Sequence, residues 1–387
     1  MKFQKICAVI LVALLTCMSV LPIGAQAAPV AERADGGLSL PCRSAILMDA
    51  ATGQVLYEQN ADEALPPASV TKIMTLLLVM EAVDEGRIAL TDPVTVSAHA
   101  ASMGGSQVYL KEGESMSVEE MLKCVVIASA NDCAVALAEF VSGSEEAFVA
   151  AMNARAAALG MVNTHFENTN GLDDTAVAHL TSARDIAIMS RALISHPKIL
   201  EYSGIWMDTI RDGTFGLTNT NRLVRFYPGC TGLKTGSTSK AKFCISATAE
   251  RDGLSLICVI MAAESRDVRN AAATQLLDYG FAHFAAYRGE AGERLLPVAG
   301  GTESTCKVTF EPFAAVVPKG KSGQVTVQLL LPDGLTAPVA AGDEVGKVVY
   351  RLGEQEIGSV PVCATEGVER IRFGTLLTRI LAKFLLV

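Results

Sequence analysis

Two strand-rich segments that enclose a series of helical patterns constrain the fold of this chain more than any other feature. Residues 42–57 show a strand, a turn and a second strand, and residues 241–263 alternate as a hairpin around an Arg-Asp-Gly turn. Strands at both ends with helices between them indicate a mixed α/β domain, which we place at residues 38–286. The helical patterns cover residues 69–84, 118–141, 144–160, 181–194 and 266–279.

The sequence changes character after Gly289. Short apolar segments, such as Gln324-Val-Thr-Val-Gln-Leu, are separated there by proline and glycine turns. This pattern is typical of a small all-β domain, which we place at residues 290–363. We find no catalytic motif in it.

Composition and charge restrict the partners and cofactors. The chain has 387 residues and a net charge of −9, without a basic stripe, so we expect no nucleic-acid partner. Its ten cysteines lie scattered in apolar sequence, and neither CxxC pairs nor His/Cys clusters offer metal-ligand spacing. We predict buried free thiols, with disulfides as the alternative, and we expect no metal or cofactor.

The amino-terminal residues have the pattern of a secretory signal. Lys2 and Lys5 precede an apolar run over residues 6–21, and small residues end at Ala27. We therefore predict that residues 1–27 are a signal peptide and that the protein is exported. An uncleaved anchor is the alternative, but the run is shorter than the about 20 residues that a spanning helix prefers.

The carboxyl-terminal segment, residues 366–387, is amphipathic when projected as a helix. Arg372, Arg379 and Lys383 fall in one narrow wedge. We predict that the segment lies in the interface of a membrane, with its cations near anionic headgroups. Packing against the β domain or in an oligomer is the alternative. The apolar face consists of Phe373, Leu376, Leu377, Ile380, Leu381 and Phe384.

Three short motifs carry the chemistry. They occur in the order Ser69-Val70-Thr71-Lys72, Ser129-Ala130-Asn131 and Lys234-Thr235-Gly236. A Ser-x-x-Lys tetrapeptide alone is a weak signal, because it occurs by chance in many proteins. The three motifs together, each in the context that its role requires, are specific.

The motif residues suit nucleophilic catalysis. Ser69 begins a predicted helix, and Lys72 lies one turn later on the same face. A serine needs a base, and Lys72 can act as one only while it is neutral, which burial or the charge of Lys234 would favour. Lys234 would also attract an anionic substrate. Ser129 can pass a proton towards a leaving amine, and Asn131 can hold the substrate backbone or the geometry of Lys72.

The third motif is predicted to open the first strand of the hairpin. Gly236 would let a substrate peptide approach the backbone closely and pair with the strand edge. The backbone N–H groups of Ser69 and Ser237 are the predicted donors of an oxyanion hole.

The sequence lacks the motifs of a Ser-His-Asp catalytic triad. There is no Gly-x-Ser-x-Gly elbow, and the five histidines, among them His165 and His179, lack a matching serine and aspartate. We interpret His165 and His179 as structural.

With their surroundings, these motifs resemble the low-molecular-mass penicillin-binding proteins, the D-alanyl-D-alanine carboxypeptidases of serine peptidase family S11. The resemblance is close over residues 38–286 and loose over the β domain. It implies a fold like that of serine β-lactamases and transpeptidases, with an antiparallel sheet and helices on both sides. The segments that carry it are Pro67-Ala-Ser-Val-Thr-Lys-Ile-Met-Thr, Ser129-Ala-Asn-Asp-Cys-Ala, Asn163-Thr-His-Phe-Glu-Asn-Thr-Asn-Gly-Leu and Tyr227-Pro-Gly-Cys-Thr-Gly-Leu-Lys-Thr-Gly.

The resemblance also implies an activity. The penultimate D-Ala carbonyl of a peptidoglycan stem pentapeptide would acylate Ser69, terminal D-Ala would leave, and water would hydrolyse the acyl-enzyme. β-Lactams would acylate the same serine and inhibit the enzyme. Arg269 lies where the family places a cation for the terminal carboxylate, and Thr235 would share that task. The expected location is the outer face of the cytoplasmic membrane.

Three other functions stay open at this point. A class A-like β-lactamase shares the three motifs. Its deacylating glutamate is normally followed by an asparagine four residues later, whereas Asn170 comes three residues after Glu167 here. A non-catalytic peptidoglycan-binding homologue is disfavoured because all the motif residues are present. Endopeptidase action on cross-links uses the same acyl donor, and the sequence does not separate it from carboxypeptidase action.

Overall fold

The computed structural model describes residues 38–173 and 176–385. The predicted signal peptide, residues 1–27, lies outside the described residues, as do residues 386 and 387.

The centre of the larger domain is a five-stranded sheet in which every neighbouring pair is antiparallel, in the order β2-β1-β9-β8-β7. The first two strands and the later hairpin thus join one sheet, although the helical segments separate them in sequence. β7 is the last strand on one side. The bounds are β1 Ser44–Asp49, β2 Val55–Gln59, β7 Cys230–Thr238, β8 Lys242–Arg251 and β9 Leu254–Ala263.

Two short two-stranded sheets accompany the central sheet. They are β3 Pro93–Thr95 with β4 Ser115–Ser117, and β5 Met207–Ile210 with β6 Phe215–Thr218.

Helices cover both faces of the central sheet, as the family resemblance implied. Successive residues of β1 point into two different cores. Ile46 lies in the core between the sheet and helices α1 to α7, and Leu47 lies in the core between the sheet and α9. Burial of both faces explains why the middle of β1 and nearly all of β9 are apolar. The helices are α1 Lys72–Asp84, α2 Ala98–Ala101, α3 Val118–Lys123, α4 Asn131–Ser142, α5 Glu145–Ala158, α6 Ala183–Ile194, α7 Pro197–Ser203, α8 Leu223–Phe226 and α9 Arg266–His283.

One predicted helix is wrong as a single element. Residues 118–141 form α3, a π-helical turn Cys124–Ala128 and α4, with a break at Ser129, whose φ is +62°. The N–H of Asn131 donates to Ser106 O at 2.7 Å, so a neighbouring loop fixes the break. The apolar pattern continues through the break because both halves pack into the same core.

The position of Lys234-Thr235-Gly236 also differs from the prediction. The motif lies in the middle of a separate strand, β7, which pairs with β8, and the predicted hairpin is β8 with β9. Strand β7 was missed because its polar motif interrupts the apolar pattern. The motif nevertheless lies on an edge strand of the sheet, which is where a peptide could pair with it.

A β-rich lobe follows α9. β10 pairs with β13, and a six-stranded sheet has the order β14-β16-β17-β12-β11-β15. Its core contains Tyr350, which stacks on Phe313. The bounds are β10 Phe284–Gly289, β11 Gly292–Ala299, β12 Thr305–Phe310, β13 Phe313–Pro318, β14 Val325–Leu330, β15 Leu335–Thr336, β16 Glu344–Leu352 and β17 Gln355–Ala364.

The carboxyl-terminal segment is helical as α10, Phe373–Leu385. Arg379 donates to Thr302 O of the β lobe, and the side chains of Lys383 and Phe384 lie outside the described residues. In the described part of the chain no helix combines the length and the hydrophobicity needed to cross a membrane. The exposed apolar residues of α10 are Phe373, Leu376, Leu377, Ile380 and Leu381.

The cysteines of the described residues are free thiols. Five of the eight are buried. Burial raises the pKa of Cys244 to about 11, so this thiol packs as a small apolar side chain.

Candidate active site

Ser69 and Lys72 meet at the start of the first long helix. Ser69 lies in a 3₁₀ turn, Ala68–Thr71, and Lys72 is the first residue of α1. Because the side chains are three residues apart, they fall on one face, and Lys72 Nζ lies 2.9 Å from Ser69 Oγ. A base within hydrogen-bond distance of a hydroxyl is the geometry that nucleophilic catalysis requires.

Lys72 is poised to be neutral. Its side chain is fully buried, and burial lowers its pKa well below the ordinary lysine value. The charge of Lys234 lowers the pKa further, whereas Asp132 opposes this change. The second contact of Nζ is with the backbone oxygen of Asn170, at 2.7 Å. A neutral amine that donates to Asn170 O keeps a lone pair for the proton of Ser69.

Ser129 lies at the helical break described above. Its left-handed backbone, rare for a residue other than glycine, turns the side chain towards the sheet. There Lys234 Nζ donates to Ser129 Oγ at 2.8 Å. The second and third motifs are thereby joined, and the charge of Lys234 acts on Lys72 of the first motif.

Lys234 is a buried cation on the edge strand. Its ammonium also donates to Thr235 O at 2.9 Å. Burial, followed by the charge of Arg269, lowers the pKa of Lys234 to about 7. The side chain therefore gains strongly from an anion placed beside it.

Arg269 reaches the sheet from the opposite face. It belongs to α9, is buried, and donates to Cys244 O of β8 at 3.4 Å. Cys244 pairs with Gly236 of β7, so the guanidinium lies one strand behind the third motif. Burial lowers the pKa of Arg269 to about 10, and the group is a cation at neutral pH.

Asn131 has one polar atom left over. Its Nδ2 donates to Gly104 O at 2.7 Å, and this contact fixes the orientation of the amide. Its Oδ1 is buried and accepts no hydrogen bond from any described residue. An orphaned buried acceptor costs stability, and this atom is one of two such side-chain atoms among the described residues.

Gly236 allows β7 to pack closely against the nucleophile turn, the 3₁₀ turn Ala68–Thr71 that contains Ser69. A Cβ at this position would lie 2.8 Å from the backbone nitrogen of Ser69 and 2.8 Å from Pro67 O. Only glycine allows this approach, which places the exposed Ser237 next to the turn. The arrangement brings the main chains of Ser69 and β7 side by side.

The structure adds residues that no motif revealed. Thr220 Oγ1 accepts a hydrogen bond from Thr235 Oγ1 at 2.8 Å, and the Thr220 N–H donates to Ile127 O of the π turn at 3.1 Å. Asn170 acts through its backbone, which no side-chain pattern can signal. Among the described residues, no group of three His, Cys, Asp or Glu side chains could hold a metal ion.

Family models match both parts of the chain. The model for D-alanyl-D-alanine carboxypeptidase, peptidase family S11, matches residues 30–265. The model for the C-terminal domain of penicillin-binding protein 5 matches residues 289–370.

Curated relatives and solved structures agree with these matches. The chain is 41% identical to D-alanyl-D-alanine carboxypeptidase DacF of Bacillus subtilis over 350 residues, 88% of this chain and 90% of DacF. It is 36% identical to DacC of Escherichia coli, over 89% of this chain and 88% of DacC. Penicillin-binding protein 5 of Haemophilus influenzae superposes with a TM-score of 0.75 at 31% identity, covering 86% of this chain and 99% of that one. The chain therefore belongs to the D-alanyl-D-alanine carboxypeptidase family, peptidase family S11, and has the fold of penicillin-binding protein 5.

Proposed function

We propose that this protein is a serine D-Ala-D-Ala carboxypeptidase that removes the terminal D-alanine of peptidoglycan stem pentapeptides through an acyl-enzyme on Ser69. The observation that carries the proposal is the contact of 2.9 Å between Ser69 Oγ and the Nζ of Lys72, a fully buried lysine whose pKa is well below its ordinary value. Membership of the family supports the same activity.

Acylation begins when Ser69 Oγ attacks the carbonyl carbon of the penultimate D-Ala and gives its proton to Lys72 Nζ. The backbone N–H groups of Ser69 and Ser237 stabilise the oxyanion of the tetrahedral intermediate. The C–N bond then breaks, and the departing amine of D-Ala takes a proton through Ser129 Oγ. Lys72 is left neutral again.

Deacylation uses one water molecule. It gives a proton to neutral Lys72 as its oxygen attacks the ester carbonyl carbon, and the ester C–O bond to Ser69 breaks. Ser69 Oγ recovers a proton from Lys72, and the shortened stem peptide leaves as a carboxylic acid, which loses its proton to solvent. No metal or cofactor enters this balance.

Cations and an edge strand orient the substrate. We infer that the terminal carboxylate binds near Lys234, Thr235 and Arg269. The peptide backbone lies along β7, and the side chain of Asn131 helps to hold it. With the carboxylate at Lys234 and the oxyanion hole at Ser237, the stem peptide runs antiparallel to β7.

β-Lactams acylate Ser69 in this proposal and inhibit the enzyme, because they present a strained amide and a carboxylate to the same groups. The environment of Glu167 argues against a class A-like β-lactamase. Its carboxylate accepts hydrogen bonds from the N–H groups of Val177 and Ala178 at 2.8 and 2.9 Å, which lower its pKa. Glu167 is thus engaged away from Ser69.

We also propose a location and a division of the chain. Residues 1–27 direct export, residues 38–286 are the catalytic domain, and residues 290–363 are an all-β domain. Residues 366–387 attach the protein to the outer face of the cytoplasmic membrane, where the exposed apolar side chains of α10 enter the interface.

The test uses the full chain in detergent and a stem peptide that ends in D-Ala-D-Ala. Free D-Ala is measured for the native protein, for Ser69→Ala and after treatment with penicillin. Release that both the substitution and penicillin abolish supports the proposal. Rapid and continuing penicillin hydrolysis without D-Ala release would establish the β-lactamase instead, and the absence of both activities would indicate a binding protein.

A further inference from the structure

His179 is a buried histidine beside the nucleophile turn that the chemistry above does not use. Its Nε2 lies 2.7 Å from Thr71 Oγ1, and the N–H of Glu167 donates to its Nδ1 at 3.0 Å. Thr71 lies between Ser69 and Lys72 in the first motif. The imidazole therefore bridges the nucleophile turn to a distant part of the chain.

The two contacts fix the protonation of the ring. A backbone N–H can only donate, so Nδ1 is the acceptor and carries no proton. The proton of the neutral ring is then on Nε2, which donates to Thr71 Oγ1. Burial lowers the pKa of His179 to about 4, so the ring keeps this tautomer at neutral pH.

The segment that His179 holds, residues 167–172, contacts the nucleophile helix at further points. Asn170 O accepts from Lys72 Nζ at 2.7 Å, and Thr169 O accepts from Thr75 Oγ1 at 2.6 Å. Gly171 lies directly against Ala68 O, with no room for a Cβ. The segment thus places the backbone carbonyl of Asn170 against the amine of Lys72, which is the proposed base.

We propose that His179 is a positioning residue for acyl transfer, which joins residues 167–172 to Thr71 and so holds Asn170 O against Lys72 Nζ. With one N–H of Lys72 committed to Asn170 O, its lone pair points at Ser69 Oγ. Loss of the bridge to Thr71 lets the carbonyl drift, and a displacement of about 1 Å in such a site costs on the order of 100-fold in rate. This inference rests on the proposed roles of Ser69 and Lys72.

Two conservative substitutions separate the contacts of the ring. In His179→Gln, the amide nitrogen can occupy the place of Nε2 and donate to Thr71. In His179→Asn, the amide oxygen can replace Nδ1 and accept from Glu167 N–H, but the side chain is too short to reach Thr71. His165→Ala is the matched control, because His165 pairs with Leu180 through backbone only and its side chain is exposed.

The measurement is the second-order rate of Ser69 acylation by a fluorescent penicillin, per folded molecule of the full chain, together with kcat and KM for the stem peptide. We expect native rates for His165→Ala, a fall of about 10- to 100-fold for His179→Asn, and at least tenfold faster acylation for His179→Gln than for His179→Asn. The loss should appear in kcat per folded molecule with KM little changed, and this normalisation removes the effect that reduced stability has on the amount of active enzyme.

A double-mutant cycle completes the test. Thr71→Val removes the hydroxyl at nearly constant volume, and in combination with His179→Asn it should slow acylation little beyond the slower single variant. Equal rates for His179→Asn and the native protein, equal rates for the two His179 variants, or fully additive losses in the cycle would each overturn the inference. D-Ala release by Ser69→Ala would instead overturn the proposed function, so the two failures are distinguishable.

Discussion

Lys234 Nζ donates a hydrogen bond of 2.8 Å to Ser129 Oγ, which joins the edge strand of the sheet to the break between two helices. The contact orients the hydroxyl of Ser129 while Lys234 remains available to an anionic substrate. The contact thereby joins the second and third motifs, which are far apart in sequence, and the charge of Lys234 couples them to Lys72 of the first.

Ser129→Ala removes the hydroxyl that passes a proton to the leaving amine. We expect kcat for the stem peptide to fall by about 10²-fold or more, which is typical for the loss of a general acid. KM should change little, because Lys234 keeps its charge. Ser239→Ala, in the exposed turn after β7, is the control, and D-Ala release by both variants is the measurement. A native kcat in Ser129→Ala would show that another group carries the proton.

Lys234→Gln should move the acidic limb of the pH–rate profile for acylation to higher pH. The charge of Lys234 helps to lower the pKa of Lys72, so its removal raises that pKa, and Lys72 becomes protonated at a higher pH than in the native protein. We expect a shift of about one pH unit in the rate of penicillin acylation. Lys240→Gln, an exposed lysine beyond the third motif, should leave the limb in place. An unchanged limb in Lys234→Gln would contradict the electrostatic coupling.

Gly171→Ala should destabilise the fold far more than Gly143→Ala. Both glycines have a φ of +83°, so both substitutions incur the same cost of a left-handed alanine, about 1 to 2 kcal/mol. A Cβ at Gly143 meets open space, whereas a Cβ at Gly171 collides with Ala68 O next to the nucleophile. Thermal unfolding and the rate of penicillin labelling compare the two variants, and equal effects would mean that the loop yields freely.

His179 should make the fold sensitive to acid. Its pKa is about 4 in the folded protein and about 6.5 when unfolded, so the unfolded state binds more protons between these values. The contribution of the neutral ring is fully present above pH 6.5 and is lost as the pH falls towards 4, by up to about 3 kcal/mol. His179→Gln should flatten this part of the curve of unfolding free energy against pH. Glu167, His165 and Asp173 are the charged or titratable groups whose fields reach the ring, and they stay unchanged in the comparison.

Removal of residues 373–387, which leaves Val368 in the core of the β lobe, should release the protein from lipid vesicles. The exposed apolar face of α10 and the cations Arg372 and Arg379 favour vesicles that contain anionic lipid over neutral ones. Co-sedimentation of the full chain and of the shortened chain measures the difference, and D-Ala release should be equal for both in solution. Binding that persists after truncation would assign attachment to another surface.

The sequence alone predicted those features that depend on short-range patterns. The helix after Ser69, the hairpin of β8 and β9 and the order of the three motifs follow from periodicity and residue type. The break at Ser129 and strand β7 did not, because a loop contact from Ser106 makes the first and pairing with β8 makes the second. The contacts of Thr220, Asn170 and His179 depend on residues that lie far apart in the chain, so no local pattern could reveal them.

The edge position of β7 has a consequence for self-association. An uncovered strand edge that accepts an extended peptide also fits the same edge of a second molecule, which is a common route to aggregation. Part of β7 is already occupied, since Gly232 O accepts a hydrogen bond from Asn221 Nδ2 and Thr235 O accepts one from Lys234 Nζ. The stretch of β7 that stays open to a substrate is therefore short, and a short edge is a poor template for pairing with a second molecule.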